Sequence, residues 1–134
     1  MSADDNVTTV KAMYDAFGKG DVDTIVNNCA ENVDWAADAA GDTAPWYGQR
    51  SGKDAVAQFF AAIADTMEVL EFTPQAFAAT DDEVLAFIRY RARSKATGRE
   101  IEMNLHHYWR FTDGKVATYR GSEDSEQTVS ALSG

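Results

Sequence analysis

The chain has 134 residues, 45% apolar and 25% charged, which fits one globular domain over residues 1–134 and excludes a disordered segment. A formal charge of −10 speaks against nucleic acid or an anionic membrane as partner, and no stretch approaches the ~20 apolar residues of a membrane span. One cysteine, Cys29, excludes an intramolecular disulfide, and the acidic N-terminus lacks the order of a secretory signal, so a bacterial cytoplasmic protein is expected.

Val7, Val10, Tyr14 and Phe17 recur at helical spacing and predict an amphipathic helix over 4–17. Gly18 and Gly20 end it. Asp21 caps a shorter helix with Val22, Ile25, Val26 and Cys29 on one face. A short strand is expected at 32–35, then a loop to Gly52, then a third helix carrying Val56, Phe59, Phe60, Ile63 and Met67. From Val69 the period changes to two, predicting strands at 69–79, 84–95, 100–111 and 116–124, with Pro74 marking a sheet edge or a bulge. The tail, 125–132, has the pattern of a short helix. The fold expected is α+β: a cone-shaped roll of curved, mainly antiparallel sheet covered by three N-terminal helices, in the order ααβαββββ.

A two-residue hairpin at Thr97-Gly98 pairs Ala96 with Arg99 and sets Val84, Ala86, Ile88, Tyr90 and Ala92 against Phe111, Trp109, His107, Leu105 and Met103. This face is apolar apart from His107 and the Tyr90 hydroxyl, so it faces inward. A three-residue loop at 112–114 turns Ala117, Tyr119, Gly121 and Glu123 to the same face and makes His107 and Tyr119 cross-strand neighbours. A register error of two residues preserves these faces, whereas an error of one reverses them.

The runs Tyr14-Asp15-Ala16-Phe17, Gly20-Asp21 and Gly52-Lys53-Asp54-Ala55-Val56 resemble SnoaL-like proteins of the nuclear-transport-factor-2-like superfamily. So do Thr97-Gly98-Arg99, Met103, His107, Asp113-Gly114-Lys115 and Arg120. That superfamily includes steroid isomerases, limonene epoxide hydrolases and scytalone dehydratases. The resemblance places the steroid isomerases' general-base aspartate at Ala37, their oxyanion tyrosine near Met13 and their protonated aspartate at His107. The epoxide hydrolases' Asp–Arg–Asp set falls at Ile88, Tyr90 and Gly121, so limonene-type epoxide hydrolysis is not implied. The scytalone dehydratases' aspartate falls near Gly18. His107 alone coincides with a common SnoaL-like pocket residue.

The catalytic candidates are His107, Tyr119 and Glu123: an imidazole that titrates near neutrality, a hydroxyl for a ligand oxygen, and an inward carboxylate. Asp34, Asp38 and Asp42 are further carboxylates near the expected mouth. The expected pocket wall comprises Ile88, Tyr90, Met103, Leu105 and Trp109 from the sheet, with Tyr14, Trp35, Trp46 and Phe60 from elsewhere. Each aromatic has an alternative reading as plain core, and His107 as a buried histidine satisfied by a neighbour. His106 and His107 point to opposite faces of a strand, so no metal site is expected. No cofactor is expected either.

The function expected is binding of a small hydrophobic carbonyl or polycyclic molecule for cofactor-independent isomerisation, cyclisation or dehydration. The alternative is a non-catalytic binding or dimeric interaction module. The outer face, with Phe87, Arg89, Arg91, His106 and Tyr108, is expected to form a homodimer interface, as relatives commonly do.

Overall fold

The computed structural model describes residues 2–133. Helix α1 (Ala3–Gly18) opens on a capping box in which Ser2 and Asp5 bond each other's backbone amides, and Asp21 caps α2 (Val22–Asn27). Strands β1 (Cys29–Ala37) and β2 (Gly48–Ser51) precede α3 (Lys53–Thr66). The chain then runs through β3 (Met67–Ala79), β4 (Glu83–Ser94), β5 (Glu100–Thr112) and β6 (Lys115–Ser122) before α4 (Ser125–Leu132). The strands form one curved six-stranded sheet in the order β2-β1-β6-β5-β4-β3, antiparallel except where β1 runs parallel to β6. No helix among the described residues is long and apolar enough to cross a membrane.

Strand β2 lies within the stretch expected to be loop. Its residues, Gly48-Gln49-Arg50-Ser51, are polar and mostly exposed at a sheet edge, so no apolar alternation announces it. Strand β1 begins at Cys29, which therefore leaves the α2 stripe; its thiol is buried, donates to the Ile25 carbonyl, and is pushed up to about 11 by burial. Pro74 satisfies both of its readings, since β3 is the edge strand and its pairing with β4 shifts register between Pro74 and Ala76.

The inner and outer faces of β4 and β5 are as expected, with Val84, Ile88, Ala92, Ile101 and Trp109 all buried. The register differs by two residues: Ile88 opposes Leu105, Ala86 opposes His107, and Arg93 with Glu100 is the last pair. The hairpin loop is longer than Thr97-Gly98 because Gly98 turns back with φ 77° to donate to the Ser94 carbonyl, while the Thr97 hydroxyl bonds the Ala131 carbonyl of α4.

The β5–β6 turn is tighter than expected. Asp113 and Gly114 both adopt positive φ, 51° and 78°, in a two-residue turn closed by Thr112 and Lys115. The extra residue sits further along β6: Arg110 pairs with Thr118 but Phe111 with Val116, so Ala117 is bulged and Val116 takes the inner position. Tyr119 consequently opposes Trp109, and His107 opposes Gly121 rather than Tyr119.

Candidate functional site: an aromatic cavity with a histidine at its wall

The concave face of the sheet, α1 and α3 enclose a cavity of about 90 Å³. Ten of the twelve residues expected at the site border it: Tyr14, Trp35, Trp46 and Phe60 from the covering elements, and Tyr90, Leu105, His107, Trp109, Tyr119 and Glu123 from the sheet and its end. Ile88 and Met103 do not. They stand on the correct face but are buried beneath the elements packed on it, and with Ile88 opposite Leu105 the cavity lies further toward β6.

The walls are interlocking rings. Trp35 stacks on Tyr119 at 4.1 Å between centroids and meets Trp109 edge-on at 5.6 Å. Met13, Phe17, Phe59, Phe72 and Ile63 also line the wall, and none was expected there. Phe17, Phe59 and Ile63 lie on helix stripes, where sequence spacing alone does not separate cavity from core. Phe72 precedes the register shift at Pro74, which hides its face.

His107 is tied to α1. The Tyr14 hydroxyl lies 2.7 Å from His107 Nδ1 and accepts the Trp109 indole N–H at 3.1 Å. An indole can only donate, so Tyr14 has its own proton to give, and Nδ1 is the acceptor in reach. Neutral His107 is thereby assigned its proton on Nε2. Burial pushes the imidazole down to about 3, with the nearby His106 adding in the same direction, so it is neutral at physiological pH. Burial also raises the Tyr14, Tyr90 and Tyr119 phenols above their ordinary value and keeps them protonated.

Gly121 makes room for this arrangement. A Cβ there would stand 2.2 Å from the Tyr119 hydroxyl oxygen and 3.4 Å from His107 Cδ2. The position was placed on the inner face by register, but its role as a slot for the Tyr119 hydroxyl has no local sequence signal.

Glu123, just beyond β6, joins three elements. Its Oε1 accepts from Trp46 Nε1 at 3.1 Å, and its Oε2 accepts from the Tyr47 hydroxyl at 3.1 Å and from the Thr128 hydroxyl of α4. Trp46, a loop residue without an evident packing role in the sequence, is thus held at the mouth by a carboxylate. None of the three aspartates expected near the mouth lines the cavity. Asp34 is bound by Arg120 at 2.9 Å, which holds its carboxyl below the usual range, and Asp38 and Asp42 are exposed.

On the outer face the register brings glutamates to the arginines. Arg89 pairs with Glu102, Arg91 with Glu71 and Glu100, and Arg93 with Glu68 and Glu100. The arginines of the outer face are therefore paired within the chain. Among the described residues no cluster of three or more His, Cys, Asp or Glu side chains is placed to hold a metal ion.

Residues 10–119 match the SnoaL-like domain family. The chain belongs to that family. It is similar to an NTF2-like protein of unknown function from Burkholderia pseudomallei, at 22% identity and a TM-score of 0.87 over 100% of both chains. An NTF2-like protein from Burkholderia xenovorans is 25% identical, with a TM-score of 0.86 over 98% of each chain. TerC, whose structure was determined with polyporic acid, shares 19% identity and a TM-score of 0.84 over 97% of this chain and 99% of its own. Comparison with curated proteins returns no significant match. This SnoaL-like chain accordingly has the NTF2-like architecture, a framework on which many chemistries are built, so its activity must be argued from the cavity.

Proposed function

We propose that the protein binds a small, mainly apolar carbonyl compound in this cavity and moves a proton on it without a cofactor. Isomerisation, cyclisation and dehydration are the reactions open to such a site. The observation that carries the reading is the Tyr14–His107 hydrogen bond at an otherwise aromatic wall. With Nδ1 accepting from Tyr14, the Nε2–H of His107 is free to donate. The Tyr119 hydroxyl, which has no hydrogen-bond partner of its own among the described residues, is the second donor. Together they would stabilise the negative charge that a substrate oxygen gains as a neighbouring C–H proton leaves.

His107 is too weakly basic to take that proton itself, which revises the acid/base role expected from the sequence to that of a neutral donor. Glu123 is the carboxylate in the cavity wall, and its Oε1 accepts only one hydrogen bond. In the proposed step the proton passes to Oε1, the C–H electron pair forms a C=C bond to the carbonyl carbon, and the carbonyl π electrons move to oxygen. Where the substrate carries a C=C bond next to that carbon, return of the proton at the far end of the conjugated system, as the carbonyl re-forms, completes an isomerisation. TerC, which shares this fold and was co-crystallised with polyporic acid, supports a small organic ligand for a protein of this architecture.

The test is thermal-shift screening with small apolar ketones, followed by exchange of their α-hydrogens in heavy water read by NMR. Stabilisation and exchange are expected for the native protein, with exchange falling by about 10²-fold in His107→Ala. Unchanged exchange in that variant overturns the mechanism. Binding without exchange selects a second reading, a non-catalytic binding module, which the engagement of Glu123 by Trp46, Tyr47 and Thr128 favours.

The outer face fits a homodimer interface better than an acidic partner, because its arginines are already paired while Phe87, Tyr108 and the 49% exposed Leu85 remain on it. Light scattering should report a dimer, and Leu85→Asp a monomer; a monomeric native protein removes the proposal. The single, inert cysteine is compatible with a cytoplasmic setting.

A further inference from the structure

A second hollow adjoins the cavity. An open groove of about 720 Å³ runs outside it, between the α1–α2 junction, the C-terminal part of α3 and edge strand β3. Four side chains border both hollows: Phe17, Phe60, Ile63 and Phe72. Phe17 sits 4.9 Å from Phe72 and 5.9 Å from Phe60 between ring centroids, so the partition is a layer of rings. All four keep some exposed surface, unlike the fully packed Trp35, Trp109 and Tyr119 behind them. Each of the four is therefore packed against the core on one side only.

The groove itself is apolar, with Val22, Met67 and the 38% exposed Val69, and its floor at Gly18 and Gly20 has no side chains. Its charged groups are Glu68, engaged by Arg93 at 2.9 Å, and Lys95. The exposed Lys95 ammonium donates to the Ala64 carbonyl at 2.5 Å and has no carboxylate within ion-pair reach among the described residues. The inner cavity, at about 90 Å³, is smaller than the ~150 Å³ apolar cavity that holds benzene. A ring-sized group therefore enters only as part of the wall moves aside.

We propose that groove and cavity are two chambers of one binding site, joined when the Phe17–Phe60–Phe72 layer parts, and that the ligand is an elongated apolar oxo-acid. Its carbonyl end lies in the inner chamber among the hydroxyl and imidazole donors. Its chain crosses the phenylalanine layer and lies along Val69. Its carboxylate meets Lys95. This rests on the carbonyl-binding reading of the inner cavity and extends it to the shape and charge of the ligand.

The test is calorimetric titration of the full chain with phenyl ketones of increasing chain length, from acetophenone upward, and with the corresponding ω-benzoylalkanoic acids. In the native protein affinity should rise about three- to fourfold per methylene as the chain enters the groove. Val69→Asp, a change at an exposed position, should flatten that rise and leave acetophenone binding unchanged. Lys95→Gln should weaken the acids by about fivefold or more and leave the neutral ketones unaffected. A series that binds with no dependence on chain length, or a rise that survives Val69→Asp, overturns the two-chamber site while leaving the inner cavity as proposed. Acids insensitive to Lys95→Gln overturn the carboxylate assignment. Failure of every ketone, acetophenone included, overturns the carbonyl-binding reading and this inference with it.

Discussion

The Tyr14 hydroxyl, carried on helix α1, bonds His107 Nδ1 on strand β5 at 2.7 Å while accepting the Trp109 indole N–H at 3.1 Å. One hydroxyl therefore joins the helical layer to the sheet and fixes which histidine nitrogen carries the proton. Tyr14→Phe removes the proton donor to His107 and leaves the buried Trp109 N–H unpaired. A stability loss of about 1–3 kcal/mol is expected, measured by urea denaturation. Nitrogen-15 NMR of the imidazole should show the Nε2–H tautomer losing its dominance in the variant. A tautomer ratio identical to that of the native protein would refute the assignment.

Stability should depend on pH through His107. Its folded-state value is lowered from 6.5 to about 3, so between these limits the unfolded chain binds a proton that the folded chain does not. Stability therefore falls as pH drops through that window, with a slope of up to about 1.4 kcal/mol per pH unit from this group. Asp34 and Glu83, whose carboxyls are held below their ordinary range, act in the same direction at the acid end. The His107 share is isolated by comparison with His107→Gln, whose unfolding free energy should change less between pH 6 and pH 4. Parallel curves for the two proteins would contradict the burial of this imidazole.

Gly121→Ala tests the slot over which Tyr119 lies. The added methyl would stand 2.2 Å from the Tyr119 hydroxyl oxygen, so the ring must move into the cavity or the strand must shift. Overpacking of this kind costs about 1–3 kcal/mol. Ketone binding should fall with it, because either adjustment disturbs the donor pair. Full binding and unchanged thermal stability would show that Tyr119 has another position open to it.

Glu123→Ala should free the mouth of the cavity. The carboxylate holds Trp46 and Tyr47 in the segment between β1 and β2, and Thr128 in α4. Its loss should cost about 1.5–3 kcal/mol. Amide exchange should quicken in residues 38–47 and at the start of α4, while the β4–β5 hairpin stays protected. An exchange pattern matching the native protein would remove the clamp role. Combined with the α-hydrogen exchange assay, Glu123→Gln distinguishes clamp from base, since the amide keeps one acceptor oxygen but has far weaker basicity.

Periodicity in the chain by itself determined the inner face. Val84, Ala86, Ile88, Tyr90 and Ala92 are almost wholly apolar while the other face carries Arg89, Arg91 and Arg93, and a period of two survives a register error of two, so His107 was legible as a polar residue on an apolar wall. Helix stripes and caps were equally local and equally readable. The pairings were not. Gly98 and the bulge at Ala117 moved each hairpin off its simplest register, so His107 met Gly121 and the outer arginines met glutamates. Strand β2 was hidden because a polar edge strand needs no apolar pattern. Only the tertiary structure brought Tyr14 to His107, 93 residues apart, and Trp46 to Glu123, 77 apart. Hydrogen bonds between distant residues leave no trace in local spacing, because each depends on how far helix, loop and sheet travel before they meet. What the cavity can do chemically rests on those contacts.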